Sequence, residues 1–263
     1  MPAPRFKITV LGSGTSVGVP TVGCHCAVCT STDSRDQRLR PSILISYEGR
    51  RVLIDTTPDF RAQALRINLD RLDAVVFTHS HADHIMGLDD VRPFNFRQKG
   101  DIPIYAAPDT MADIQRCFRY IFDGEQKQSN VPHLATHVID GGFELFGLEF
   151  LPVPVLHGSA TIFGFRFGDA AYLTDHSEIP ETSLACLGGL DVLFLDALRY
   201  KPHPTHSTVD ASVKTAETLG ARRTFLTHIS HDLAHERAES LLPAHVRLAC
   251  DGMELEVGSD RPA

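Results

Sequence analysis

Apolar residues fall along this chain in short runs, many alternating with polar positions and each closed by turn-forming residues. The runs are "FKITVLG" (6–12), "SILISY" (42–47), "RVLID" (51–55), "AVVFT" (74–78), "PIYA" (103–106), "LEFLPVPVL" (148–156), "IFGFRF" (162–167), "AYLTD" (171–175), "DVLFLDAL" (191–198), "RTFLTH" (223–228) and "VRLACDGMELEV" (246–257). Such runs predict strands. In the last one Asp251-Gly252 suits a type I′ turn, which predicts a hairpin. Helical spacing is found near 58–67, 108–120, 208–219 and 231–241, and "STVDASVKTAETLG" is the clearest case, with Ser207 or Thr208 to cap its start and Gly220 to stop it. Strands that first meander and then alternate with helices predict a layered α/β architecture.

The polar segment "DGEQKQSN" (123–130) reads as a mobile loop and the seam between two halves. The residues that carry chemistry fall on both sides of it, so the halves are expected to act as one domain over 1–263. A content of 43% hydrophobic and 22% charged residues is that of a soluble globular chain rather than a disordered one. No apolar run approaches the roughly 18 residues of a membrane span, and "MPAPRFKITVLGSG" lacks the basic start, long apolar stretch and cleavage site of an export signal, so a cytoplasmic protein without membrane partners is expected. A formal charge of −8 weighs against gripping long nucleic acid. A small phosphorylated substrate stays compatible where metal ions make a pocket locally positive.

"GCHCAVC" (23–29) holds Cys24, Cys26 and Cys29. In a reducing compartment these read as metal ligands rather than disulfide partners, while Cys117, Cys186 and Cys250 are expected as buried small residues. A tetrahedral site requires a fourth ligand. The strongest signal is "VVFTHSHADHIMG" (75–87), with His79, His81, Asp83 and His84 directly after an apolar strand. In extended chain, residues two apart point the same way, so His79 and His81 can approach one metal while Asp83 and His84, where a helix begins, face a second. Imidazole suits zinc, and a carboxylate also admits iron or manganese. A polar strand end with surface histidines would not need four ligand-type residues in six positions.

"THSHADH" resembles the H-x-H-x-D-H signature of the metallo-β-lactamase superfamily. The resemblance implies a four-layer αββα sandwich with a dinuclear site at the sheet edges, and three later ligands. His157 in "VPVLHGS", Asp175 in "AYLTDHS" and His228 in "RTFLTHISH" match them in order. One metal would take His79, His81 and His157, the other Asp83, His84 and His228, with Asp175 between them; Asp55 would orient a ligand histidine. Were a helix to begin directly after His228, His231 and His235 would share a face turned away from that site, and one of them could complete the thiols as a Cys3His centre. "LGSGTSVGVPTVGCHCAVC" together with "THISHDLAH" resembles PhnP-type phosphodiesterases, whose additional structural zinc implies His231 as the fourth ligand. His235 is then a solvated or hydrogen-bonded helix residue, His25 points outward, and a loop at about 20–32 is stapled by zinc to the strand end that supplies His228, adding folding energy.

The same resemblance implies two divalent ions (zinc, manganese or iron) presenting a bridging hydroxide, from water whose pKa falls to around 7. PhnP-type and ribonuclease Z-type enzymes place a catalytic histidine between the bridging aspartate and the last ligand histidine, and His206 in "THST" matches it. The expected catalytic set is His206, protonating a departing alkoxide, Asp196 orienting it, and Asp83; a placed acid is worth roughly a hundred- to ten-thousand-fold. His203 is a weaker candidate for substrate contact, and His133, His137, His176 and His245 have no metal-ligand spacing. "LGSGTS" (11–16) is not a Walker sequence and reads as support for the site. The expected activity is hydrolysis of a small cyclic phosphodiester, with phosphoribosyl 1,2-cyclic phosphate as the substrate the resemblance implies and cyclic nucleotides beside it. A ribonuclease Z-type tRNA nuclease is the alternative, disfavoured because His157 and Asp175 stand 18 positions apart, too few for a tRNA-gripping arm. A thioesterase or lactonase would leave His206 and the thiols unexplained, and a binding module with decayed sites conflicts with the intact ligand set. A homodimer is left open.

Overall fold

The computed structural model describes residues 5–124 and 130–258, and each apolar run contributes a strand. β1 (Phe6–Gly12), β2 (Ser42–Tyr47) and β3 (Arg50–Ile54) form an antiparallel meander. Beyond it, α1 (Phe60–Arg66), β4 (Ala74–Val76), α2 (Ala82–Ile85), α3 (Arg92–Gln98), β5 (Ile102–Ala106), α4 (Pro108–Cys117), α5 (Arg119–Phe122) and β6 (Leu134–Val138) alternate, with β3 to β6 parallel. The second half repeats the scheme. β7 (Phe143–Leu145), β8 (Leu148–His157), β9 (Ala160–Phe167) and β10 (Ala170–Leu173) meander, and α6 (Glu181–Leu184), β11 (Val192–Asp196), α7 (Val209–Leu219), β12 (Arg223–Thr227), α8 (His235–Glu239) and β13 (Val246–Leu248) extend the sheet in parallel. β14 (Glu254–Val257) returns to pair with β1. Two seven-stranded sheets result, ordered β14-β1-β2-β3-β4-β5-β6 and β13-β12-β11-β10-β9-β8-β7.

The sheets meet through Ile8, Ile45, Val52 and Val76 on one side and Phe150, Phe165, Phe167 and Phe194 on the other. On its outer face the first sheet packs Leu44, Leu53 and Val75 against Phe60, Phe94 and Ile114 of α1, α3 and α4, and the second packs Leu173, Leu195 and Leu226 against Val209, Ala216 and Ala238 of α7 and α8. Both faces of the central strands are covered, which is why their sequences are nearly continuous in apolar residues. The order is helices, sheet, sheet, helices: the αββα sandwich. α7 begins where expected, the Thr208 hydroxyl accepting the Ala211 N–H, and ends at Gly220 with φ +62°. Among the described residues no helix is long and apolar enough to cross a membrane.

Four expectations are corrected. "VRLACDGMELEV" is not a hairpin: β13 pairs with β12 in one sheet and β14 with β1 in the other. The Asp251 carboxylate accepts the N–H groups of Ser13 and Leu39, and the Gly252 N–H reaches Val10 O, so the turn is bound to β1 and carries the chain across the sandwich. The chain changes sheet at 139–142, between β6 and β7, rather than at 123–130, a segment of which 125–129 lie outside the described residues. The helix expected over 231–241 covers only His235–Glu239. Cys117 and Cys186 are exposed rather than buried, since each sits at or just past the end of a short outer helix, and Cys250 is half-buried.

Candidate metal centre

The ends of β3, β4, β8, β10, β11 and β12 meet at one edge of the sandwich. Thr78, just past β4, donates its N–H and hydroxyl to the two Asp55 oxygens at 2.9 and 2.8 Å, tying that strand end to the end of β3. The extended segment after it delivers His79 and His81 to His157, and the first turn of α2 directs Asp83 and His84 to Asp175 and His228. Within each group the ligand-type atoms lie within 4.8 Å of one another. Asp175 stands between the groups: Oδ2 is 3.2 Å from His84 Nε2, Oδ1 is 3.1 Å from His228 Nε2, and its carboxylate also falls in a group with His157 and His206.

Three of these side chains leave the backbone from the left-handed region, Asp55 at φ +65°, Asp175 at +57° and His228 at +58°. Residues with a Cβ adopt it rarely and at some cost, so the fold holds them there. The remote nitrogens are also fixed: His84 Nδ1 lies 2.8 Å from Asp55 Oδ2, and His157 Nδ1 donates to Thr205 O at 2.8 Å. Both rings are thereby turned to present Nε2 to the cluster.

Buried polar atoms are almost always hydrogen-bonded, yet His79 Nε2, Asp83 Oδ2, His84 Nε2 and His228 Nε2 make no hydrogen bond of normal geometry, although carboxylate oxygens stand 3.1–3.2 Å from the two last-named nitrogens. They converge on the same space. Burial depresses the His79 pKa far below its usual value. For His84 burial acts the same way but is outweighed by Asp83, Asp175 and Asp55, which raise its pKa well above the usual value; His228 is likewise opposed by burial and raised to about 9 by Asp175, Asp83 and Asp196. Asp175 and Asp83 are held below the carboxylate range because the neighbouring histidines overcome the burial penalty. Carboxylates kept charged beside orphaned imidazole nitrogens form a donor set that fits metal cations.

A second cluster lies on the amino-terminal loop. Cys24, Cys26 and Cys29 place Sγ at 3.3, 3.6 and 3.4 Å from His231 Nδ1. With metal–sulfur and metal–nitrogen bonds of about 2.3 and 2.0–2.1 Å, tetrahedral geometry separates sulfur from nitrogen by about 3.5 Å. The donors therefore stand at the spacing of a Cys3His centre. The Cys29 N–H pulls the Cys26 thiol down to about 6, whereas burial pushes Cys29 up. His25 is exposed, as expected. The route to His231 differs from expectation: residues 229–234 form no helix, Ile229 bridging to Gly14 and a turn following at 231–232, while the Ser230 and Leu233 carbonyls are taken by the Arg38 guanidinium. His235 therefore shares no helical face with His231; it opens α8, buried, with its N–H on Asp36 Oδ1 at 2.8 Å.

His206 Nδ1 lies 3.1 Å from Asp196 Oδ2, an oxygen that also accepts the Ser207 N–H. The His206 ring is 4.9 Å from that of His157 and 4.5 Å from that of His228. His203 accepts the Thr205 hydroxyl at Nδ1 and sits 5.1 Å from His206, ring to ring. His176 is buried beside the site, while His133, His137 and His245 join none of the ligand groups among the described residues. "LGSGTS" supports the strand end after His228: Ile229 N–H bonds Ser13 O and Thr15 N–H bonds Ile229 O. Sequence reasoning missed Thr205, whose carbonyl fixes His157, and Asp113, which accepts the Ser80 hydroxyl at 2.6 Å between His79 and His81. Neither carries a local signal, because each partner is brought by a distant element.

A family model described as a beta-lactamase superfamily domain matches residues 50–229. The fold and the site define a metal-dependent hydrolase of that superfamily. A solved structure described as a new diphosphatase from the PhnP family is 55% identical, with a TM-score of 0.90 over 96% of this chain and 97% of that one, and this chain belongs to the PhnP family within the metallo-β-lactamase superfamily. The octanoyltransferase of Porphyromonas gingivalis is 39% identical over 254 residues, 95% of this chain and 51% of that protein. Ribonuclease Z of Bradyrhizobium diazoefficiens is 29% identical over 173 residues, 63% of this chain and 51% of that protein. The chain spans about half the length of both.

Proposed function

We propose that this protein is a dinuclear metal-dependent phosphodiesterase that opens a small cyclic phosphodiester, with His79, His81 and His157 on one ion, Asp83, His84 and His228 on the other, and Asp175 shared. Zinc, manganese and iron all suit this donor set, and a structural zinc suits Cys24, Cys26, Cys29 and His231. Bound ions would supply Lewis acidity, neutralising phosphate oxygens and lowering the pKa of water. The chain's own residues do the rest. Asp55 and Thr205 orient His84 and His157, and Asp83 and Asp175 keep the negative charge that retains the cations. With Nδ1 engaged by Asp196, His206 has Nε2 free to hand a proton to the departing oxygen.

The observation that carries this reading is the His206–Asp196 pair beside both ligand groups. A sugar alkoxide is a poor leaving group and benefits from a placed acid, whereas thiolates leave readily without one. His157 and Asp175 are joined by β9, β10 and a tight turn before each of them, which leaves no room for a tRNA-gripping arm. Both ligand groups draw on both sheets, which supports a single functional unit. A second reading, hydrolysis of a diphosphate bond, is favoured by the description of the 55% identical relative.

Side-by-side assay of the metal-loaded protein on phosphoribosyl cyclic phosphate, 2′,3′-cyclic nucleotides, a dinucleoside diphosphate, precursor tRNA and a thioester separates these readings. Fastest turnover is expected on a cyclic phosphodiester, and a clear preference for the diphosphate, tRNA or thioester would replace it.

A further inference from the structure

Among the described residues, Arg38 is a fully buried cation that the chemistry above does not use. The Arg38 side chain has 0% exposure, and its ion-pair partner Asp36 has 5%. A guanidinium taken out of water is tolerated only when its nitrogens find acceptors, and all three do: Nη1 donates to Ser230 O at 3.0 Å, Nη2 to Leu233 O at 2.8 Å and to Asp36 Oδ1 at 3.0 Å, and Nε to Arg35 O at 3.2 Å. The same Asp36 oxygen accepts the His235 N–H. On the main chain, Arg38 exchanges both hydrogen bonds with Val19, which leads into the thiol loop.

Ser230 lies between His228 of the histidine–carboxylate cluster and His231 of the thiol cluster, and Leu233 lies just beyond. Ile229 is already held by Ser13 and Thr15 from the other side. The turn that joins the two clusters is therefore clamped from both sides, and Arg38 is the only side chain that reaches its later carbonyls by hydrogen bonds among the described residues. A planar fork fixes two acceptors in one relative geometry, which an ammonium cannot do.

We infer that Arg38 is a positioning residue that couples the two clusters, so that filling the thiol site preorganises His228 and tightens metal binding at Asp83, His84, Asp175 and His228; this rests on both clusters holding metal, as proposed above. Three-residue continuity alone would let the turn adjust when the thiol site fills. With its carbonyls held by Arg38, a displacement at His231 is passed to His228 instead of being absorbed.

The test uses cobalt(II) on the full chain. Thiolate-to-cobalt absorption reports loading of the thiol site, and competition with a chromophoric chelator reports affinity at the histidine–carboxylate cluster. In the wild-type background, Cys24→Ser with Cys26→Ser should weaken that second affinity at least tenfold. In an Arg38→Met background the same cysteine changes should alter it less than twofold. Arg38→Lys keeps the charge without the fork and is the more conservative change; there the cysteine effect should fall at least threefold below the wild-type value, which keeps the test valid should Arg38→Met fail to fold. An undiminished cysteine effect in the arginine variants, or none in the wild type, overturns the inference. A wild-type protein that takes up no cobalt at either cluster would instead defeat the metal reading on which it rests.

Discussion

Asp55 shows how much a single carboxylate can do at this site. Fully buried at a left-handed backbone position, it takes the Thr78 N–H and hydroxyl and faces His84 Nδ1. Asp55→Ala removes the group that aims His84, and metal affinity at that cluster should fall about 10- to 100-fold by equilibrium dialysis while the thiol site still loads. For the acid role proposed for His206, His206→Ala should leave metal content unchanged and lower kcat on an alkoxide-leaving substrate by about a hundred- to ten-thousand-fold, with a far smaller loss on a substrate bearing an acidic leaving group. Away from the site, Asp73 is opposed by burial but held below the usual carboxylate range by Arg71, the Arg51 N–H and Arg50. A depressed folded pKa gives stabilisation that is complete above the unfolded value of about 3.9 and is lost as pH falls through the folded value. Asp73→Asn should thus cost about 1–3 kcal/mol at neutral pH and flatten the acid limb of a urea-denaturation series.

At the scale of elements, the short helix α2 owes its position to Gly87. A Cβ there would stand 2.0 Å from Thr57 O and 2.9 Å from Phe60 Cβ, so even alanine forces α2 away from the β3–α1 connection. Gly87→Ala should reduce metal occupancy at the histidine–carboxylate cluster before it unfolds the chain, seen as metal loss in a protein whose far-ultraviolet circular dichroism is retained. The strands were legible in the sequence to different degrees for a physical reason. β1, β2, β11 and β12 are covered on both faces and stand out as apolar runs, whereas β6, "LATHV", is an edge strand with three exposed residues and β7 has only three positions. Neither of these leaves a periodic trace long enough to read. α3, "RPFNFRQ", was missed because its seven residues offer barely two turns of pattern.

For the molecule as a whole, the site is a seam. His79, His81, Asp83 and His84 belong to the first sheet's edge, and His157, Asp175 and His228 to the second's. Metal removal should accordingly loosen both halves together: chelator-treated protein should lose hydrogen-exchange protection after β4 and after β10 and β12 alike, and recover both on adding metal. Protection lost on one sheet alone would show that the ions do not join them.

The sequence by itself determined which ligand-type residues stand at strand ends and where they leave the chain, because they follow directly on apolar runs and strand periodicity is a local property. The cysteine spacing and the H-x-H-x-D-H segment were readable for the same reason. Only the tertiary structure decided that "VRLACDGMELEV" splits between two sheets, that residues 229–234 form no helix, and that Asp55, Asp175 and His228 take left-handed backbone. These outcomes rest on partners far apart in the chain, such as Asp251 with Ser13 and Arg38 with Ser230. A periodic pattern fixes which face of an element is buried, but the element it meets is chosen by packing and by the buried polar groups that must find one another.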